Sequence, residues 1–138
     1  MNRRQRKELT AILDQGVQYE CPMSRYTTFR VGGPAEALCI IRELDELRRT
    51  VAYLDDEKIP YLVVGRGSNL LVKDEGFKGV ALLLREKLAQ VETNGKSDRV
   101  ILAGGGLSLF ELLEYCKIKG LGGLEFLAGI PGTTVLFR

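Results

Sequence analysis

Residues 60–80, PYLVVGRGSNLLVKDEGFKGV, are the stretch on which the fold turns. Its opening YLVV, residues 61–64, is a short unbroken apolar run set off by Pro60, which predicts a buried strand. Gly65, Arg66, Gly67, Ser68 and Asn69 follow at once, ahead of apolar Leu70, Leu71 and Val72, so a polar glycine-bearing loop sits at a strand end. Glycine permits positive φ, and consecutive backbone N–H groups in such a loop converge into a nest whose natural guest is a phosphate. Ser68 and Asn69 add side-chain donors and Arg66 adds charge. The loop is not a Walker A motif, because no Gly-Lys-Ser/Thr follows. It also fails the G-x-G-x-x-G dinucleotide pattern, because Leu70 stands where the last glycine belongs. Taken alone, the pattern serves equally well as a structural turn between two strands.

Working back toward the N-terminus, residues 43–57 place Leu44, Leu47, Val51 and Leu54 at spacings of three and four, with charges on the other face. That predicts a surface helix packed on a sheet. Residues 37–41 read as a buried strand, and residues 26–33, YTTFRVGG, as an extended segment running into a tight turn before Pro34. Leu9, Ile12 and Leu13 give residues 3–15 the stripe of a short amphipathic helix, with Gly16 as its stop.

Toward the C-terminus, residues 80–84 predict another strand. Residues 89–93 and 100–103 predict a strand pair turning around Asn94, Gly95 and Lys96. Residues 109–118 predict a helix with Leu109, Leu112, Leu113 and Cys116 on one stripe. Residues 120–138 hold too many glycines for an assignment and end on VLFR, an apolar run with little to pack it. This order of elements argues for a mixed α+β protein over a regular βαβ repeat.

Two further loops carry possible chemistry. Gly104, Gly105 and Gly106 join a strand to a helix opened by Ser108, so their N–H groups offer a second phosphate site. The simpler reading makes Ser108 the helix N-cap, with Glu111 completing a capping box. Leu127, Ala128, Gly129, Ile130, Pro131, Gly132 and Thr133 form a third loop of mostly small residues, able to bring backbone close to a flat ring.

Composition excludes several classes. Among 138 residues, 45% are apolar and 28% charged, which suits one ordinary globular domain able to bury a core. The net charge of +2 comes mainly from Arg3, Arg4, Arg6 and Lys7 and reads as a solvated helix start, so no nucleic-acid partner is expected. No apolar run is long enough to span a bilayer and the N-terminus lacks an apolar signal core, so no membrane association and a cytoplasmic location are expected. Cys21, Cys39 and Cys116 lack metal-ligand or disulfide spacing and are expected as reduced thiols. The chain holds 0 histidines, which removes the commonest general base and the usual zinc ligands together, and no metal site is expected.

Three stretches taken in order resemble the MurB family of flavoenzymes, the UDP-N-acetylenolpyruvoylglucosamine reductases. YTTFRVGGPAEA from Tyr26 is similar to that family's N-T-F-x-x-G-G-P-A stretch, and PYLVVGRGSNLLVKDEGFKGV to its strand, phosphate loop and next strand. AGGGLSLFELLEYCKIKGLGGLEFLAGIPGT is similar to the segment that reaches the flavin, so the likeness runs from about Tyr26 to Thr133. The resemblance implies the FAD-binding fold of the vanillyl-alcohol oxidase type, two small α+β subdomains with extended FAD between them. It implies that Gly65, Arg66, Gly67, Ser68, Asn69 and Leu70 bind the pyrophosphate. It further implies that Gly129, Ile130, Pro131, Gly132 and Thr133 lie along the flavin side, with Ala103, Gly104 and Gly105 nearby. Arg30 belongs to a family motif with its role open between loop support and ligand contact.

In that family NADPH is the hydride donor through FAD, and UDP-N-acetylglucosamine-enolpyruvate is reduced to UDP-N-acetylmuramate for peptidoglycan. The family's proton donor, a serine assisted by a glutamate and an arginine, lies later than this sequence extends, so no catalytic residue is assigned. After Thr133 the sequence departs from the family pattern. The expected layout is an N-terminal helix in residues 1–20 and a C-terminally incomplete FAD-binding domain in residues 21–138, with the substrate-binding domain absent. A chain of this kind is expected not to turn over by itself. The alternatives are a non-catalytic FAD- or nucleotide-binding fragment and a partner-binding remnant that uses an exposed edge.

Overall fold

A computed structural model of the chain describes residues 1–93 and 100–136. Among these, the helices are α1 (Arg3–Leu13), α2 (Leu44–Asp56) and α3 (Leu109–Ile118). The strands are β1 (Val17–Pro22), β2 (Pro34–Ile41), β3 (Tyr61–Val64), β4 (Phe77–Leu84), β5 (Val91–Thr93) and β6 (Ile101–Ala103).

Four strands form a mixed sheet in the order β1-β2-β4-β3, with β1 antiparallel to β2 and the pairs β2/β4 and β3/β4 parallel. Side chains on a strand alternate between faces, and β4 shows the consequence. Val80, Leu82 and Leu84 face one core together with Leu9 and Leu13 of α1 and Leu54 of α2. Ala81 and Leu83 face a second core with Met23, Val64 and Val72. A strand buried on both faces reads as a continuous apolar run, as VALLL does here. In β2 the register shifts between Ala35 and Ala37, and there the strand exchanges faces: Ala35 lies in the second core and Ala37 in the first.

Parallel neighbours need a crossover of a dozen or more residues, usually a helix. Between β2 and β3, which lie on either side of β4, that crossover is α2. Between β3 and β4 it is an irregular segment, residues 65–76, which crosses the opposite face and anchors itself there with Val72. The glycine loop is therefore the start of a helix-free crossover, and this places it at the end of the parallel strands.

A separate small unit joins antiparallel β5 and β6 to α3 around Leu107, Leu109, Leu112, Cys116 and Leu127. The chain is thus α+β with two cores flanking a sheet and a third in the smaller unit, as expected from the order of elements. β3 and α3 stand at the bounds the sequence predicts.

Several expectations need correction. Residues 26–33 are not extended: the Arg30 N–H donates to the Thr27 carbonyl, and Arg30 takes φ 54, so the segment folds into turns. Leu71 is exposed, and residues 70–72 form no strand. β1 was not anticipated, because its alternation of half-buried and exposed positions is carried by polar Gln18 and Glu20 beside Tyr19 and Cys21. It also crosses the boundary expected between residues 20 and 21: residues 17–22 pair with β2, and α1 packs its Leu9 and Leu13 into the first core. The turn expected at Asn94, Gly95 and Lys96 lies outside the described residues.

Candidate functional site

The 65–70 loop, the 26–28 segment and the 129–133 loop meet at the end of β3. In residues 65–70, Gly67 has φ 64, and a Cβ there would stand 2.0 Å from the Tyr26 carbonyl oxygen. No other residue type fits that position without moving the 26–28 segment. The Thr28 N–H donates to the Gly67 carbonyl at 3.0 Å. The Thr28 hydroxyl donates to the Arg66 carbonyl at 3.4 Å. Among the described residues, the N–H groups of residues 65–70 donate to no protein acceptor. A turn whose carbonyls are tied inward and whose N–H groups are left over is the donor set of an anion nest.

The 129–133 loop docks against this nest. The Ser68 hydroxyl donates to the Pro131 carbonyl at 2.6 Å. Thr133 is only 2% exposed, and its hydroxyl lies against Gly65, where a Cβ would come within 2.3 Å of it. Among the described residues that hydroxyl has no hydrogen-bond partner, which is costly for a buried polar group. The Leu109 N–H donates to the Gly132 carbonyl at 3.1 Å, which fixes the loop on the start of α3.

That helix begins with a capping box. The Glu111 N–H donates to the Ser108 hydroxyl, while the Glu111 carboxylate accepts from the Ser108 N–H and hydroxyl. The Ser108 contacts come first in holding the Glu111 carboxyl below the usual range, and nearby Arg66 adds to them. Ser108 is thus the N-cap that the simpler sequence reading expects.

Gly104, Gly105 and Gly106 are largely engaged within the protein. The N–H of Gly104 donates to the Gln90 carbonyl and that of Gly106 to the Leu88 carbonyl. The Gly104 carbonyl accepts from the Thr134 hydroxyl, and the Gly105 carbonyl from the Val135 N–H. The Gly105 N–H alone of the three lacks a protein acceptor among the described residues. Ala103 and Gly104 line a separate recess that also includes Glu43, Lys87 and Gln90.

The nest itself lies in a recess of about 130 Å³ formed by residues 62–70. That is well under the ~300 Å³ at which small-molecule pockets begin, so it is sized for a phosphate group. Arg66 also borders an apolar groove of about 260 Å³ with Phe110, Leu113, Leu127, Ile130 and Pro131. A dinucleotide would have to extend over both surfaces. Asn69 is exposed at the nest rim, and Leu70 contributes to the second core. Arg30 is exposed and forms no ion pair among the described residues. Thr28 was not singled out by sequence reasoning. Its only signal was its place in the TTF string.

None of the described residues groups three potential metal ligands together, and no described helix is long and apolar enough to cross a membrane. Residues 34–135 match the family described as FAD binding domain. The UDP-N-acetylenolpyruvoylglucosamine reductase of Pelobacter propionicus is 42% identical over 81% of this chain and 37% of its own length. The protein of the same name from Caldanaerobacter subterraneus is 41% identical over 91% of this chain and 41% of its own. The crystal structure of the UDP-N-acetylenolpyruvylglucosamine reductase (MurB) from Thermus caldophilus matches with TM-score 0.64 and 35% identity, covering 82% of this chain and 38% of that one. The chain therefore spans roughly two fifths of the length of the relatives it matches. It belongs to the FAD binding domain family and, within it, stands with the UDP-N-acetylenolpyruvoylglucosamine reductases.

Proposed function

We propose that this chain is the flavin-holding part of an NADPH-dependent reductase of UDP-N-acetylglucosamine-enolpyruvate, acting in the cytoplasm in peptidoglycan precursor synthesis. The observation that carries the reading is the loop at residues 65–70, whose N–H groups have no protein acceptor among the described residues and whose Arg66 and Gly67 carbonyls are tied to Thr28. The residues present fit FAD: a phosphate-sized donor recess lies beside an apolar groove, and Arg66 stands between them. Bound FAD would supply hydride chemistry that no side chain can.

The chain's own residues have positioning tasks. The N–H groups of residues 65–69 and the Arg66 guanidinium hold the pyrophosphate charge. Ser68 couples that nest to the 129–133 loop, so Gly129, Ile130, Pro131, Gly132 and Thr133 form the wall beside the ring system. Gly104 and Gly105 back that wall through residues 134–135, with Ala103 beside them in the chain.

The nearby acid and hydroxyl groups are committed elsewhere. Ser68 and Ser108 point their hydroxyl protons at the Pro131 carbonyl and the Glu111 carboxylate. Glu111 is held ionised at neutral pH. None of the three is set to protonate a substrate carbon, which favours a second reading for these 138 residues by themselves, flavin retention without turnover. The test is NADPH oxidation by the purified 138-residue chain with FAD and the enolpyruvyl substrate. Flavin binding with no substrate-dependent oxidation is the expected result. Steady turnover would overturn the second reading, and failure to retain flavin would overturn the first.

A further inference from the structure

We infer that Thr28 is a positioning residue for the dinucleotide pyrophosphate: from outside the glycine loop it sets the direction in which the loop's N–H groups point. The inference rests on the flavin-binding reading above. A trans peptide unit is planar, with its carbonyl and the next N–H pointing in opposite directions. Fixing a carbonyl therefore aims an N–H. The Arg66 carbonyl accepts from the Thr28 hydroxyl at 3.4 Å, and this turns the Gly67 N–H the other way. The Gly67 carbonyl accepts from the Thr28 N–H at 3.0 Å, which does the same for the Ser68 N–H. One residue thus orients two successive donors of the nest.

The rest of its segment holds Thr28 in place. The buried Thr27 hydroxyl donates to the Val31 carbonyl at 2.9 Å, closing the turn around Thr28. The Gly33 N–H donates to the Lys73 carbonyl at 2.9 Å. A Cβ at Gly33 would meet the Asp74 carbonyl oxygen at 2.0 Å, so backbone lies directly on backbone there. Residues 26–33 therefore run alongside the crossover segment from Gly67 to Asp74 and brace it. This gives a physical reason for two glycines and a threonine pair in a stretch that forms no strand.

Aimed donors matter for the ligand because a preorganised N–H need not be reoriented when the anion arrives. Thr28→Val removes the hydroxyl and keeps the N–H, Thr28→Ser keeps both, and Thr28→Pro removes both. FAD affinity is read from the quenching of flavin fluorescence, and the amide signals of Gly67 and Ser68 are followed by NMR as FAD is added. Losing the hydroxyl contact, long at 3.4 Å, predicts a Kd about threefold higher in Thr28→Val, and losing the N–H bond with it about tenfold higher in Thr28→Pro. Thr28→Ser should stay within about twofold of the parent. The FAD-induced shift of the Gly67 amide should shrink in Thr28→Val and recover in Thr28→Ser, while the thermal midpoint of Thr28→Val falls by no more than about 3–5 °C, the worth of one hydrogen bond.

A Thr28→Val chain that binds FAD as the parent does, with unchanged Gly67 and Ser68 shifts, overturns the inference and leaves the flavin reading standing. A parent chain that binds no FAD removes both. If Thr28→Pro fails to fold, Thr28→Val and Thr28→Ser decide the matter.

Discussion

Two glycines with almost the same backbone conformation and opposite surroundings give a sharp test of the site geometry. Gly67 has φ 64 and Gly120 has φ 65, but a Cβ at Gly120 would meet nothing within 4 Å. Alanine at either position pays the left-handed cost of roughly 1–2 kcal/mol. Only Gly67→Ala must also move its neighbours. Its Cβ starts 2.0 Å from the Tyr26 oxygen, and ordinary contact begins near 3.4 Å, so the segments must part by 3.4 − 2.0, or 1.4 Å. Added to the 3.0 Å Thr28–Gly67 hydrogen bond, that displacement breaks it. A broken bond adds about 1 kcal/mol, for a total near 2–3 kcal/mol. For a chain of this size, about 3–5 °C is lost per kcal/mol, so Gly67→Ala should lower Tm by roughly 10 °C and Gly120→Ala by about half of that. Thermal unfolding followed by circular dichroism reads both variants. Equal losses would refute the claim that the 26–28 segment lies directly on Gly67.

Other outcomes follow from the same structure. Ser108→Ala removes the α3 N-cap and should cost about 1 kcal/mol in urea unfolding. The same change should let the Glu111 carboxyl titrate closer to its ordinary value in an NMR titration, because Ser108 is the largest cause of its depression. The folded-state value of Glu111 is lowered, so its share of stability is present above the ordinary glutamate range of about 4.3 and is lost as pH falls through the depressed value. Unfolding measured at pH 6 and at pH 3 should show that share disappearing in the parent and largely absent from Ser108→Ala. Burial pushes the Cys39 thiol up to about 12. Iodoacetamide at pH 8 should therefore label Cys39 only after denaturation. Leu82→Ala empties a fully buried site on the central strand and should destabilise by about 2–5 kcal/mol in the same urea assay.

Much of the fold was readable where one physical signal ruled. β3 and α3 stand at their expected bounds because a short apolar run and a 3.6-residue stripe allow few alternatives. β1 escaped because an outer strand with polar residues at alternate positions looks like a loop when its partner is unknown. Residues 26–33 misled because β-branched Thr27, Thr28 and Val31 are strand formers by propensity, while their actual partner is the crossover segment far along the chain. The glycine loop was legible at the end of its strand from Gly65, Gly67 and the apolar run before them, with an anion nest and a structural turn equally open on pattern alone. Thr28 was not, because its role rests on carbonyls about forty residues away, contacts that appear only after folding. The phosphate-site alternative offered for Gly104 and Gly106 in sequence gives way to the simpler strand-to-helix turn, because their N–H groups donate to the Gln90 and Leu88 carbonyls.

The most direct test of the account is gel filtration of the purified chain after incubation with FAD, monitored in the visible band of flavin. The account predicts yellow protein: flavin absorbance co-eluting with the folded chain at near-equimolar ratio, and lost from Gly67→Ala. A folded, soluble chain that elutes colourless from excess FAD would contradict it.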